Sequence, residues 1–153
     1  GAGETFCVKG KASAQGGVTS AELSAFQRAF QRDPTATWQH FLRWQTQGEP
    51  GPRQAYRQLR DLLGDTPPAD SPTLATGLHW LATIDNRPRL AAPPCPVVRL
   101  IGDHDPLISP AQRRISAPLS DVGHCPMLSQ PQALATALTH HARQMANVST
   151  AAL

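Results

Sequence analysis

The sequence predicts an α/β protein whose sheet portion is incomplete. Two observations carry this. Residues up to about 87 contain four amphipathic helical patterns and no strand pattern. Residues 88–153 hold one short, almost continuously apolar run, Val97-Val98-Arg99-Leu100-Ile101-Gly102, and at most one more strand candidate. A near-continuous apolar run reads as a parallel strand buried on both faces. One or two strands are too few to make a sheet that helices cover on both sides. The expected organisation is a leading loop over 1–19, a helical block over 20–87, and a strand–loop–helix block over 88–153.

The elements follow in order. The first twenty residues are small and polar, broken by Gly16-Gly17, and read as loop. A first helix is expected from Ser20, a candidate N-cap, to Gln31, with Leu23, Phe26 and Phe30 at i, i+3 and i+7. Asp33-Pro34 opens a second helix that places Trp38, Phe41, Leu42 and Gln45 on one side and ends near Gly48. Pro50-Gly51-Pro52 opens a third, with Tyr56, Leu59 and Leu63 as its apolar face and Gly64 as its stop. Ser71-Pro72 opens a fourth, with Leu74, Leu78, Leu81 and Ile84 inward. A proline-rich connector covers Pro88 to Pro96. After the apolar strand comes the acidic loop Gly102-Asp103-His104-Asp105-Pro106, then a short helix over Pro110–Arg114. Ile115 to Val122 allows a brief strand, although Pro118 argues against a central one. Gly123-His124-Cys125-Pro126 is a turn, and a final helix runs from Pro131 to Met145 with Leu134 and Leu138 inward.

Composition narrows the function classes. The chain has 153 residues, 40% hydrophobic and 16% charged, which is too apolar for a disordered chain. No apolar run approaches the ~18 residues that a membrane-spanning helix needs, so no membrane partner is expected. The net charge of +3 is mild, without the dense basic cluster of a duplex reader, so no nucleic-acid partner is expected either. Cys7, Cys95 and Cys125 are far apart, and an odd count fits a reducing, cytoplasmic compartment. Residues 1–10 lack the apolar core of a secretory signal. Neither a P-loop nor a dinucleotide fingerprint occurs, and no cofactor is expected. The chain opens Gly-Ala-Gly-Glu with no initiator Met, which reads as a processed chain, an engineered one or a piece of a longer one.

The candidate chemistry lies at Asp105 and His124. Each follows a strand-like run and sits in a glycine-containing turn. In an open α/β sheet, functional residues lie just past the carboxyl ends of strands. A carboxylate and an imidazole brought together there form the acid–base part of a triad. Spacing alone leaves the plainer alternative open, because Asp-Pro and Gly-His are common loop pairs. On the third helix, Arg53, Arg57 and Arg60 fall at i, i+4 and i+7 as a stripe opposite the apolar face. Such a stripe is either a solvated surface or a docking face for an acidic partner. His140-His141 are adjacent and do not share a helix face, so no metal site is expected there. Cys125 and His79 read as packing or surface residues.

Gly102-x-x-Asp105-x-Leu107-Ile108 followed by Gly123-His124-x-Pro126 resembles the acid and histidine loops of the α/β-hydrolase superfamily, in the hydrolase order of acid before histidine. Phe41-Leu42-x-x-Gln45-Thr46-x-Gly48, with Arg53-Gln54-x-x-Arg57, is similar to the helical cap of the pimeloyl-[acyl-carrier protein] methyl ester esterases, carboxylesterases of biotin biosynthesis. The resemblance runs from about Phe6 to the final helix. It implies an incomplete α/β-hydrolase: a four-helix cap followed by the last strands and C-terminal helix of the hydrolase sheet. It implies Asp105 as triad acid and His124 as general base. Phe41, Leu42, Arg43, Trp44, Gln45 and Leu107 would line the substrate channel, and Arg53 and Arg57, flanked by Arg60, would hold the carrier protein. The family's second arginine pair falls on Ala36 and His40 here. The implied partners are an acyl ester on acyl-carrier protein and an N-terminal hydrolase half. No Gly-x-Ser-x-Gly elbow occurs, so the chain alone is expected to be silent. Two alternatives stand beside this: a non-catalytic helical module that docks acyl-carrier protein, and another α/β-hydrolase such as a general esterase or a C–C hydrolase. Only 18 residues separate Asp105 and His124, short for the helix and strand the family places there.

Overall fold

A computed structural model describes residues 4–8 and 16–150 of the chain, with side chains to Ala146. It is helix-rich, with two small parallel sheets. The order is β1 (Cys7–Val8), β2 (Val18–Thr19), α1 (Ser20–Arg32), α2 (Pro34–Gln45), α3 (Pro52–Leu63), α4 (Ser71–Thr83), α5 (Arg87–Ala91), β3 (Leu100–Gly102), α6 (Pro110–Arg114), β4 (Ala117–Leu119), α7 (Pro126–Ser129) and α8 (Pro131–Thr150). Among the described residues, no helix is long and apolar enough to cross a membrane.

The four expected helices form, and their ends follow from capping chemistry. Thr19, not Ser20, caps α1. Its hydroxyl accepts the Glu22 N–H while the Glu22 carboxylate accepts the Thr19 N–H, a closed capping box. The glutamate three residues after Thr19 selects that residue over its neighbour. Asp33 caps α2 by accepting the Ala36 N–H, and Asp70 caps α4 by accepting the Thr73 N–H, each with a proline in the first turn. Helix α2 stops at Gln45, short of Gly48. There the Thr46 hydroxyl donates back to the Leu42 and Arg43 carbonyls, and its N–H bonds the Arg43 carbonyl three residues back in a tightened last turn.

Several expectations are corrected. The leading segment was expected to be loop throughout; its residues 1–3 and 9–15 lie outside the described residues, but Cys7–Val8 and Val18–Thr19 pair as parallel strands. Glu4 anchors this segment: its carbonyl accepts the Asn86 N–H and its carboxylate pairs with Arg99 at 3.0 Å. The apolar run is a strand only from Leu100, and Val97 and Val98 are 48% and 38% exposed. Pairing with β4 starts at Leu100↔Ala117, so the preceding residues have no strand beside them among the described residues. Pro118 does sit within β4, opposite Ile101, because β4 is an edge strand and needs no N–H there. The connector contains the one-and-a-half-turn α5, and the turn after Cys125 contains α7. Ile84, Leu63 and Leu138 are exposed rather than inward. Ile84 is extended past the end of α4, Leu63 is the last residue of α3, and α8 packs on α7 and β4 without covering Leu138.

Two apolar clusters form the core, and α2 feeds both. Val18, Leu23 and Leu107 make one, with Phe41, Trp44 and Leu78 packed on it. Leu42, Leu59 and Cys125 make the other, with Trp38, Tyr56 and Leu128. Phe41 and Leu42 are neighbours in sequence but lie in different clusters, as the ~100° step of a helix requires. The acid loop enters the first cluster through Leu107. The histidine loop enters the second through Cys125. Helix α2 therefore sits between the two loops.

Candidate active site

The acid loop is held on three sides. Its backbone is tied to β4 and the following turn: Asp103 N–H donates to the Leu119 carbonyl at 3.1 Å, and His104 N–H to the Val122 carbonyl at 3.0 Å. The Arg113 guanidinium donates to the carbonyls of Asp105 at 2.6 Å and Ile108 at 3.0 Å. Gly17 N–H donates to the Pro106 carbonyl at 3.1 Å. Gly16 and Gly17 have φ of +108° and +97°, and a Cβ on Gly16 would lie 2.8 Å from the Ile108 carbonyl oxygen. Only glycine meets both the left-handed backbone and that approach.

Close glycine contacts bring the other loop in. A Cβ on Gly102 would lie 2.0 Å from the Gly123 carbonyl oxygen, and one on Gly48 would lie 2.0 Å from the His104 carbonyl oxygen. The end of β3, the histidine loop and the α2–α3 turn therefore touch through bare backbone.

The result is a carboxylate–imidazole pair. Asp105 Oδ2 lies 2.8 Å from His124 Nδ1, and Asp105 Oδ1 accepts the Leu107 N–H at 2.8 Å. The Asp105 side chain is 7% exposed and that of His124 is 23% exposed. A carboxylate facing Nδ1 assigns the proton to that nitrogen and leaves Nε2 with its lone pair. The short connection is spanned by a five-residue helix and a three-residue strand, α6 and β4, and the two side chains meet. Cys125, next to His124, is 2% exposed, and its thiol is pushed up to about 11 by burial and by the nearby Glu49 and Asp105 carboxylates. That thiol is protonated near neutral pH and is no nucleophile there.

An apolar cavity of about 310 Å³ lies among α1, α2 and α4. Its walls include Leu23, Phe26, Phe41, Trp44, Leu78 and Leu81. Leu107 packs on the same cluster as several of these residues and is linked to Asp105 through its N–H. Of the expected channel residues, Phe41 and Trp44 line this cavity, and Leu107 backs the cluster beneath it. Leu42 does not; it is fully buried against Leu59 and Cys125. Arg43 lies over the Tyr56 ring at 5.0 Å, and Gln45 is half-buried outside the cavity wall. A helix cannot turn five consecutive side chains to one face, so the expected stretch divides.

Arg53 and Arg57 are exposed on α3. Arg60 departs from their stripe. It lies 6.0 Å from the Tyr56 ring centroid and within 3.8 Å of Asp61 and 3.6 Å of Asp65, which draw it toward the end of α3. Ala36 and His40 are exposed on α2. His140 and His141 are in edge contact, and His141 Nδ1 lies 3.2 Å from Gln144. Asp103, His104 and Asp121 bring possible ligand atoms within 4.8 Å of one another at the outer side of the acid loop. His104 is 60% exposed and stands 3.7 and 3.9 Å from the two carboxylates, so these are loose solvent contacts.

Sequence reasoning missed Glu49. It is 4% exposed, accepts the Cys125 N–H at 2.6 Å, and accepts the Ser129 hydroxyl at 2.5 Å. Gly48-Glu49-Pro50-Gly51 has the composition of any solvated turn, and nothing local marks its carboxylate as buried.

Residues 10–137 match the alpha/beta hydrolase family. The chain is 36% identical over 92 residues to a pimeloyl-[acyl-carrier protein] methyl ester esterase of Aliivibrio salmonicida, a match covering 60% of this chain and 35% of that protein. It is 31% identical over 129 residues to the protein of the same name in Klebsiella pneumoniae, covering 76% and 49%. It is 28% identical over 146 residues to the biotin biosynthesis bifunctional protein BioHC of Teredinibacter turnerae, covering 90% and 26%. The chain thus spans between a quarter and a half of the length of these curated relatives.

Proposed function

Since this chain belongs to the alpha/beta hydrolase family, we propose that it carries the acid–base part and the cap of a carboxylic ester hydrolase. The observation that carries this is the 2.8 Å contact between Asp105 Oδ2 and His124 Nδ1, and an apolar cavity among α1, α2 and α4 supports it. Asp105 orients the imidazole and stabilises its charged form. His124 Nε2 takes the proton of an attacking hydroxyl and returns it to the leaving alkoxide. Helices α1–α4 act as the cap, with Phe41 and Trp44 as walls for the acyl chain. Similarity to proteins named pimeloyl-[acyl-carrier protein] methyl ester esterase favours a methyl ester of an acyl chain on acyl-carrier protein. No Gly-x-Ser-x-Gly occurs in this sequence; in this reading the nucleophile belongs to an N-terminal hydrolase half, and the chain alone is expected to be silent.

A fusion tests this. The portion of the Klebsiella relative that this chain does not cover, placed ahead of Gly1, is expected to give a fusion that hydrolyses a pimelate methyl ester. His124→Ala in the fusion lowers the rate by about 10³-fold or more. Hydrolysis by this chain alone, lost in His124→Ala, would overturn the silent part. A fusion whose activity survives His124→Ala would overturn the assignment of the base.

A second reading rests on the exposure of Arg53 and Arg57. In it, the helices dock acyl-carrier protein, an acidic helical partner, with or without chemistry. Binding that weakens with salt and with Arg53→Glu supports docking; binding indifferent to both rejects it.

A further inference from the structure

Glu49 lies outside every role described so far. It stands in the turn between α2 and α3, four residues beyond the last residue of α2, and is 4% exposed. Burying a carboxylate is costly unless strong donors meet it. Here both oxygens are met, and both donors belong to the histidine loop and the helix that follows it. Oε1 accepts the Cys125 N–H at 2.6 Å, and Oε2 accepts the Ser129 hydroxyl at 2.5 Å. On the other flank of His124, a Cβ added to Gly123 would lie 2.8 Å from Glu49 Oε1. The carboxylate therefore grips the backbone immediately after His124 and abuts the backbone immediately before it. The turn that carries it is fixed in its own right, because Gly48 lies against the His104 backbone of the acid loop.

We propose that Glu49 is a positioning residue: a strap from the helical block that clamps both flanks of His124 and holds its imidazole against Asp105. Charge-assisted bonds from a carboxylate are stronger than those of a neutral acceptor, which suits a loop whose one side chain has to stay within bonding distance of a fixed partner. The strap also makes the geometry of the pair depend on the seating of the helices. This inference rests on the hydrolase reading of Asp105 and His124.

NMR on the 153-residue chain tests it through two signals, the exchange rate of the Cys125 amide and the ring nitrogens of His124. In Glu49→Ala the Cys125 amide is expected to exchange at least about tenfold faster, and the His124 ring to lose its fixed Nδ1–H form and become a mixture. Glu49→Gln keeps an amide oxygen for the Cys125 N–H and turns its NH₂ to donate to the Ser129 hydroxyl, and is expected to retain both signals. Leu59→Ala, a packing loss in the cluster under Cys125, controls for general loosening and is expected to leave the His124 ring fixed. A Glu49→Ala chain with an unchanged His124 ring, or a Leu59→Ala chain that loses it equally, would overturn the proposal. Asp105→Asn separates the two readings, because it replaces the acceptor facing His124 Nδ1 with a donor and leaves the strap: the ring is expected to change form while the Cys125 amide stays protected. If wild-type His124 shows no Nδ1–H form while the Cys125 amide stays protected, it is the Asp105–His124 reading that fails.

Discussion

Asp105 divides its two oxygens between a backbone N–H and an imidazole: Oδ1 takes Leu107 N–H and Oδ2 faces His124 Nδ1, each at 2.8 Å. The first bond fixes the second, because the carboxyl group cannot rotate without orphaning a buried donor. Asp105→Asn uses this coupling. The Leu107 N–H keeps the amide oxygen, so the amide NH₂ is turned toward His124. A donor facing Nδ1 forces the other tautomer, with the proton on Nε2. Ring ¹⁵N shifts are expected to show the switch. In the fusion with an elbow-bearing half, a histidine with a protonated Nε2 cannot accept the nucleophile's proton, and a loss of about 10⁴-fold follows. Retention of the Nδ1–H form in Asp105→Asn would refute the coupling.

Gly48 and Gly77 make opposite predictions for the same substitution. A methyl on Gly48 would sit 2.0 Å from a backbone oxygen and 3.1 Å from Gly123 Cα, with no flexible side chain to give way. Gly48→Ala is expected to lower stability by about 1–3 kcal/mol and to disturb both the acid and histidine loops. Gly77 lies within α4, and a Cβ there meets nothing within 4 Å. Gly77→Ala is expected to raise stability by about 0.5–1 kcal/mol through helix propensity and a less flexible unfolded chain. Urea unfolding of both variants checks the pair, and a Gly48→Ala chain as stable as wild type would show that the turn does not press on the acid loop.

What the sequence made legible is what local chemistry determines. Helices α1 to α4 are marked by prolines, by acidic caps at Asp33 and Asp70, and by the spacing of residues such as Leu23, Phe30, Leu42, Leu59 and Leu78. The Asp105 and His124 loops are marked by their glycines and by their order. What stayed hidden depends on distant partners. Glu49 is buried only because the Cys125 N–H and the Ser129 hydroxyl, about eighty residues away, converge on it. Cys7–Val8 is a strand only because Val18–Thr19 lies beside it. Val97 and Val98 have the composition of a buried strand, but exposure depends on neighbours and not on composition. The substrate stretch Phe41 to Gln45 was readable as a segment, whereas its division between two clusters follows from helix phase.

The cavity among α1, α2 and α4 is at the small end of ligand sites and is walled by apolar and aromatic groups. A medium-chain methyl ester such as methyl octanoate is expected to bind there. At about ten times its Kd it stabilises the fold by about 1.4 kcal/mol, a rise of roughly 3–5 °C in Tm. Leu78→Trp fills the space from α4 without touching Asp105 or His124, and is expected to abolish the rise. An equal rise in Leu78→Trp would place the binding elsewhere.

Cys125 ties stability to pH at the alkaline end. Burial, then the Glu49 and Asp105 charges, raise its thiol from 9.0 to about 11. Between those values the folded chain keeps a proton that the unfolded chain releases, so unfolding is favoured progressively as pH rises. The contribution of this thiol is fully present below pH 9 and is lost as pH climbs through about 11. Urea midpoints of wild type and Cys125→Ala, compared from pH 8 to 11, are expected to converge, because the variant lacks this titration although its cavity costs it stability throughout. The same burial gives a kinetic signature at pH 8: Ellman's reagent reacts with the exposed Cys95 in the folded chain and reaches Cys125 only after unfolding. Prompt reaction of Cys125 in the folded chain, or midpoints that fall in parallel, would contradict the packing of the histidine loop described above.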